Sequence, residues 1–542
     1  MVRGDSETTP VLIVGGAVVG LSTAVFLARR GIRPLLVERH AGTLRHPRAR
    51  VLNPRTAEVY RSAGLEEAIF ADRSLTSELS EKLMVRASNL AGPEIFSAPM
   101  QDEAPELTPA VTPTGWCSID QDRLERIVAA RATELGADIR WNTELVGFEQ
   151  TRDGVTATLR STVTGELTTV RAQYLVGADG ADSPVRRALG IEAEGPGTLV
   201  HTASVVFQAD LSGPLRGRDL GLGYFDEPES GTLLMPLDGS RWVFYTPFHP
   251  DRGESIEDFD EQRCYDAIRA AVGVPDLEIG GLEVQIAKSG AKVLGFEIAA
   301  QLATAYRAGR AFLVGDAAHA MPPTGAFGAS TGIQDADNLA WKLATVLQRT
   351  GGAGLLDSYE AERRPVARFT IDYALAELQG RSQESRDGAE VGYTAAILGY
   401  RYPSGALIPE DDTGLPPAVT LAELGRPGTR APHVTLSHGG KDLSTLDLFG
   451  GAPVLFTGPD GTGWEHAGGP AAQRLGIDLD VYRVGSSLSD PAGTWADTYG
   501  IGPAGAVLVR PDGFVAWRSP EAVAEPQEAL ERVLARVLHR PL

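Results

Sequence analysis

The sequence predicts a multidomain α/β protein: a doubly wound parallel sheet assembled from separated stretches of chain, a β-sheet insert, and a smaller α/β domain at the C-terminus. Three observations carry this expectation. Short apolar runs end in glycine turns after Val14, Val176 and Val314, far apart in the chain. Between the second and third turns, over about 191–290, the pattern changes to alternating strands. Beyond Leu378 prolines accumulate, and a second α/β pattern starts near 433. A chain of 542 residues is also too long for one hydrophobic core.

Val11-Leu12-Ile13-Val14 suits a buried parallel strand. Gly15-Gly16-Ala17-Val18-Val19-Gly20 occupies a turn, Leu21–Arg30 reads as a helix ended by Gly31, and Ile32–Val37 reads as a second strand. Glu38 and Arg39 follow, about 20 residues after the turn. This is the Rossmann-like βαβ unit: glycines permit the turn, the helix N-terminus faces a pyrophosphate, and the acid accepts ribose hydroxyls. Ala17 stands where a glycine is usual, and its methyl is expected to push the nucleotide slightly outward. The apolar stretch Val11–Ala28 imitates a signal peptide or membrane helix. Asp5 and Glu7 precede it and glycines interrupt it, which favours strand, turn and helix.

Composition narrows the function. Hydrophobic residues at 43% and charged residues at 22% indicate a globular chain. A formal charge of −21 disfavours nucleic acid and anionic membranes as partners. The two cysteines, Cys117 and Cys264, are far apart and form no CxxC, so buried reduced thiols in a cytoplasmic protein are expected, with no disulfide and no metal site.

Two further motifs repeat the strand-and-turn design. Tyr174–Gly177 runs into Ala178-Asp179-Gly180, with Ser183 placed to cap a helix. Ala311–Val314 runs into Gly315-Asp316 and then, through Pro322-Pro323-Thr324-Gly325, into a helix from about Gly328 to Leu347 that includes Ala329 and Ser330. An acid at a strand end, here Asp316, accepts a ribityl or ribose hydroxyl. The following helix N-terminus offers amides and positive dipole to the pyrimidine edge of a flavin, which is anionic when reduced.

These three motifs, with His46-Pro47-Arg48-Ala49-Arg50, Asn53 and Arg55, Gln121 with Leu124 and Glu125, and the stretch Gly332–Leu343, resemble the class A flavoprotein aromatic hydroxylases of the para-hydroxybenzoate hydroxylase fold. The resemblance spans nearly the whole chain and is greatest to the branch that tailors aromatic polyketides, such as aklavinone 11-hydroxylase and the angucycline hydroxylases. It implies bound FAD, with Glu38 at the adenosine ribose and Arg48, Arg50 and Gln121 along the ribityl or isoalloxazine. It puts Asp179-Gly180 near the pyrophosphate and the pyridine-nucleotide approach, and Asp316 at the ribityl–pyrophosphate. Each arginine has an ordinary surface ion pair as its alternative. Ala326 and Ser330 stand where glycine and asparagine are common in the family.

The domains expected are an FAD-binding domain at 1–75, 108–190 and 291–395, a substrate domain at 76–107 and 191–290, a linker at 396–432, and a thioredoxin-like domain at 433–542 without cysteines. In the insert Tyr224, Phe225, Met235, Trp242, Phe244 and Tyr245 are candidates to line a substrate site, and alternation sends half of them into another core. Tyr224 is a candidate partner for a substrate hydroxyl. Arg381 matches an arginine of the polyketide branch suited to favour a phenolate; a solvated helix face is its alternative. The resemblance implies hydride transfer from NADPH or NADH, reaction of reduced FAD with O2 to a C4a-hydroperoxide, and hydroxylation of a polycyclic phenol by a monomer or homodimer. A Baeyer–Villiger oxygenase, a flavin oxidase or dehydrogenase, and a non-catalytic binding protein of the same fold remain alternatives. The WxWxIP pattern of flavin halogenases is absent.

Overall fold

A computed structural model describes residues 7–43, 49–74, 82–100, 108–286, 290–378, 392–410 and 416–541. The first sheet brings the three motifs together. Strand Glu7–Val14 pairs in parallel with Leu35–Val37 on one side and Leu167–Gly177 on the other, and the latter pairs with Ala311–Leu313. Val14, Val37, Gly177 and Leu313 end at one level, so their turns open on one crevice at the carboxyl edge of the sheet. Helix Val18–Arg29 starts three residues earlier than expected, because Ala17 already holds the N-cap geometry. The second strand is confined to Leu35–Val37, since Pro34 cannot donate to a ladder. Helix Phe327–Leu347 packs across Val18–Arg29. No helix among the described residues is long and apolar enough to cross a membrane.

The second sheet has eight strands. Val293–Ala303, Ala193–Gln208, Arg241–Phe248, Thr232–Pro236, Leu220–Phe225, Leu83–Ala87 and Glu94–Pro99 follow one another, with His319–Ala320 beyond Val293–Ala303. Alternation gives each strand two faces. One face packs on helix Glu261–Val272 through Phe207, Leu234, Trp242, Phe244 and Ile268. The other faces the crevice of the first sheet. Two expectations are corrected here. Trp242 and Phe244 belong to the core face, where Trp242 donates to the Ala209 carbonyl at 3.2 Å, so neither lines the cleft. The chain also leaves the second sheet only after Ala303, not at 290, because Val293–Ala303 pairs along the length of Ala193–Gln208.

The C-terminal sheet orders Asp480–Arg483, Val454–Thr457, Ala506–Val509 and Val515–Ser519, with a parallel first pair and antiparallel others. Helices Thr462–Leu475 and Pro526–Val537 cover one face through Trp464, Leu475, Leu530 and Leu534, giving the thioredoxin-like layout. Leu446–Phe449, which reads as a strand, is a 3-10 turn over Thr445–Leu448 capped by Ser444 and Asp447. The stretch 396–432 is not a loose linker. Tyr400, Tyr402 and Leu407 are buried, and Tyr402 stacks on Phe514 at 4.1 Å. Through Tyr402 this strap packs against the C-terminal domain.

Buried charges join this domain to the first. Glu362 accepts from Lys342 at 2.7 Å, Asn338 at 2.8 Å, the Ala406 amide at 2.8 Å, and both terminal nitrogens of Arg510 at 2.7 and 2.8 Å. Burial opposes its ionisation, but Arg510 and Lys342 prevail and hold the carboxyl down at about 2. A depressed carboxyl contributes stability above its unfolded value, lost as pH falls toward its folded one. Stability is therefore expected to fall by about 3 kcal/mol between pH 4.5 and pH 2 from this group. Urea unfolding across that window checks it, and Glu362→Gln should flatten the dependence.

Candidate active site

The crevice and the second sheet enclose one cleft of about 3250 Å³. Single-ligand sites run to roughly 300–1,000 Å³, so two ligands fit side by side. Gly15 has φ +110, and a Cβ there would strike the Ala178 carbonyl. Gly16 lies against Glu38, and its amide donates to Glu38 Oε2 at 2.7 Å. The His40 amide donates to the other oxygen at 2.8 Å, which fixes the Glu38 carboxylate at the end of its strand. Ala17 has φ −82 and ψ −179, an extended conformation in which alanine is unstrained. Gly15, Gly16, Ala17, Val18, Val19, Glu38 and Arg39 line the cleft, whereas Gly20 packs behind it against Gly15.

Helix Gln121–Glu134 supplies the floor. The Val18 amide at the helix N-terminus donates to buried Glu125 at 3.0 Å, and Gln121 donates to the same oxygen at 2.8 Å. Gln121 in turn accepts from the Ala49 amide at 3.1 Å. Arg50 donates from Nε to Asp120 at 2.9 Å, leaving its buried Nη2 without a partner. Gln121 and Arg50 both face the cleft.

The second and third turns are tied together. Asp179 accepts from Ser183 Oγ at 2.5 Å and from the Val185 amide at 2.9 Å; burial nonetheless pushes its carboxyl upward. Arg186 bridges the Ala317 and Ala181 carbonyls at 2.9 and 2.8 Å. Below the third turn, Asp335 Oδ2 accepts from the Gly315 amide at 3.3 Å and meets His319 Nε2 at 2.7 Å, and its Oδ1 accepts from Arg363 Nε at 2.7 Å. Asp179, Gly180, Asp316, Pro323, Gly325, Gly328 and Ala329 line the cleft. Gly315 and Ser330 are buried just behind them, Ser330 Oγ without a partner. Ala326 takes φ 54, left-handed for a residue with a Cβ, which costs about 1 kcal/mol.

The opposite wall is aromatic. Tyr224, Met235 and Tyr245 project from the second sheet into the cleft, and Phe225 borders it while burying its ring in the core behind. Tyr245 is half-buried in the cleft wall, and its loss of hydration pushes the phenol above the ordinary value, although nearby Arg50 opposes this. Sequence reasoning missed Trp116, Phe296, Phe369, Tyr373 and Tyr393. Only Phe369 and Tyr373 carried a signal, the four-residue spacing of one helix face. Trp116 stacks on Tyr393 at 5.9 Å, and the Tyr393 hydroxyl donates to the Gly325 carbonyl at 2.9 Å, linking this wall to the third turn. Arg48 and Arg381 lie outside the described residues.

The fold and cleft define a dinucleotide-binding scaffold whose cradle opens on an aromatic-lined cavity. Residues 8–374 match the FAD binding domain family, and residues 425–541 match the aromatic-ring hydroxylase C-terminal family. Aklavinone 12-hydroxylase of Streptomyces purpurascens is 42% identical, covering 99% of this chain and 100% of its own. Tetracenomycin A2 monooxygenase-dioxygenase of Streptomyces glaucescens is 42% identical, covering 99% of each. The crystal structure of aklavinone-11 hydroxylase with FAD and aklavinone superposes with a TM-score of 0.91 at 40% identity, covering 99% of this chain and 100% of that one. This chain belongs to the FAD-dependent aromatic hydroxylases. The residues present fit that cofactor: the Gly15–Gly16 turn lines the cleft beside the N-terminus of helix Val18–Arg29, and the partnerless Arg50 Nη2 and Ser330 Oγ are buried polar atoms beside the cleft.

Proposed function

We propose that the enzyme hydroxylates a polycyclic, polyketide-type phenol, taking hydride from NADPH or NADH and one oxygen atom from O2. The observation that carries this reading is the continuity of the cleft, in which the nucleotide cradle and the aromatic wall bound one space. FAD, when bound, supplies reduction by pyridine nucleotide and activation of O2 for transfer to an electron-rich ring. Gly15, Gly16, Ala17, Val18, Glu38, Gln121, Asp316 and Ser330 hold it, with Arg48 from outside the described residues. Tyr245, its phenol raised by burial, stays protonated at neutral pH and donates to a substrate oxygen. The Arg50 guanidinium, close enough to act on the Tyr245 phenol, favours the phenolate of a ring hydroxyl placed beside it. Trp116, Tyr224, Met235, Phe296 and Tyr393 grip the ring system and exclude water from the reacting face. The polyketide names of the similar proteins support the substrate class. A cytoplasmic location is in keeping with the two buried free thiols.

The test is titration of the yellow holoenzyme with anthracycline- and angucycline-type phenols. A productive phenol is expected to shift the flavin absorbance and stimulate NADPH oxidation. Tyr245→Phe should lower kcat/KM about ten- to hundred-fold, the worth of one hydrogen bond to a charged oxygen. A whole panel giving neither shift nor stimulation would count against the assignment.

A further inference from the structure

No described residue of 433–541 lines the cleft, and the C-terminal domain carries no cysteine. The strap that leads into it nevertheless sends a side chain deep into the first domain. Arg430, 1% exposed, donates from Nε to Glu58 Oε2 at 2.8 Å and from Nη2 to Glu58 Oε1 at 2.5 Å. The same Nη2 reaches the Val111 carbonyl at 3.2 Å. Glu58, on helix Pro54–Ser62, also accepts from Thr112 Oγ1 at 2.7 Å and from Arg55 at 3.1 Å. Thr112 Oγ1 accepts in turn from the Thr114 amide at 3.5 Å. One guanidinium thus holds two successive residues of the 108–116 loop, Val111 directly and Thr112 through Glu58. That loop ends on Trp116, which stacks on Tyr393 in the cleft wall. Val111 joins Trp116, Phe327 and Tyr373 in one apolar cluster, so a shift at Val111 is transmitted to the wall.

We propose that Arg430 is a positioning residue for the aromatic wall of the substrate cavity, acting through Glu58 and Thr112 on the loop that carries Trp116. A buried ion pair adds little net stability over a well-packed apolar replacement, so the bidentate fork is better accounted for by geometry than by stability. Lysine is a point charge and does not make the fork. The proposal rests on the reading that this wall contacts the ring substrate.

The test uses the full-length, FAD-loaded enzyme and a dihydroxyanthraquinone as probe, with its Kd read from flavin absorbance. Arg430→Lys keeps Glu58 paired but loses the hold on Val111. Thr112→Val leaves the Arg430–Glu58 pair and the Arg430–Val111 contact whole and cuts only the link that runs through Thr112, so it remains decisive for that route where Arg430→Lys folds poorly. Both are expected to raise the Kd, and the KM of a productive phenol, about five-fold or more with kcat little changed. FAD affinity and the visible spectrum should stay within about two-fold of the parent. Asp447→Asn breaks the half-exposed Arg61–Asp447 pair between the same two domains and should leave the Kd unchanged. An unchanged Kd in Thr112→Val, or a loss of FAD in step with the rise, overturns the inference. Trp116→Ala separates the two claims. If Trp116→Ala weakens the probe while Thr112→Val does not, only the role of Arg430 fails. If Trp116→Ala has no effect, the cavity reading fails with it.

Discussion

Replacing Arg363 with leucine is expected to give protein that purifies without FAD and is about 3–5 kcal/mol less stable. Asp335 is fully buried, and Arg363 with His319 keeps its carboxyl below the ordinary range against the cost of burial. Removing the guanidinium leaves that charge uncompensated. The same carboxylate accepts from the Gly315 amide, so its movement displaces the turn that presents Asp316 to the cleft. Arg363 also donates to the Thr331 carbonyl at 3.2 Å, in the first turns of the helix whose N-terminus lines the cleft. The flavin-to-protein absorbance ratio and a urea melt check both halves. The double variant Arg363→Leu with Asp335→Asn should recover part of the stability, because no buried charge is then left alone. Full FAD content in Arg363→Leu would sink this account of the third turn.

The second large effect concerns neighbouring positions with opposite outcomes. A Cβ added at Gly16 would lie 2.7 Å from Glu38 Cβ and 3.0 Å from the Trp141 ring. Gly16→Ala must push Glu38 from its place at the cleft, and FAD affinity is expected to fall about ten- to hundred-fold, or about 1.4–2.8 kcal/mol. Ala17, the departure from the usual glycine pattern, has ordinary extended backbone. Ala17→Gly is expected to change FAD affinity less than about three-fold. Fluorescence titration of apoprotein with FAD measures both. Equal losses at the two positions would contradict the geometry given for the turn.

The parts of this fold that were legible in the sequence are those set locally. Strands Leu220–Phe225 and Arg241–Phe248 stand at their expected bounds because alternation and flanking turns define them. The three glycine turns are legible because each has a glycine at a positive φ that favours it, as Gly15, Gly180 and Gly315 show with φ +110, +85 and +59. What was hidden depends on tertiary choices. Alternation marked Trp242 and Tyr245 as belonging to opposite faces, but not which face meets the crevice. Val293–Ala303 reads equally well in either sheet until Ala193–Gln208 pairs with it. Trp116, Tyr373 and Tyr393 come from three separate segments and meet only when the third turn and the C-terminal strap are in place. Of the Asp335–Arg363–His319 cluster, Asp335 stood within a family-like stretch and Arg363 in none, since nothing local says that three distant ionisable groups share one buried point.

The most direct test of the central claim, that FAD and a polycyclic phenol share one cleft for oxygen transfer, is turnover of the FAD-loaded enzyme under ¹⁸O₂ with NADPH and a stimulating phenol. Mass analysis is expected to show one labelled oxygen in the product as a new ring hydroxyl. A labelled lactone would move the chemistry to ring expansion. Stimulated NADPH oxidation that yields only peroxide, with no label in any ring product, would contradict the hydroxylase assignment.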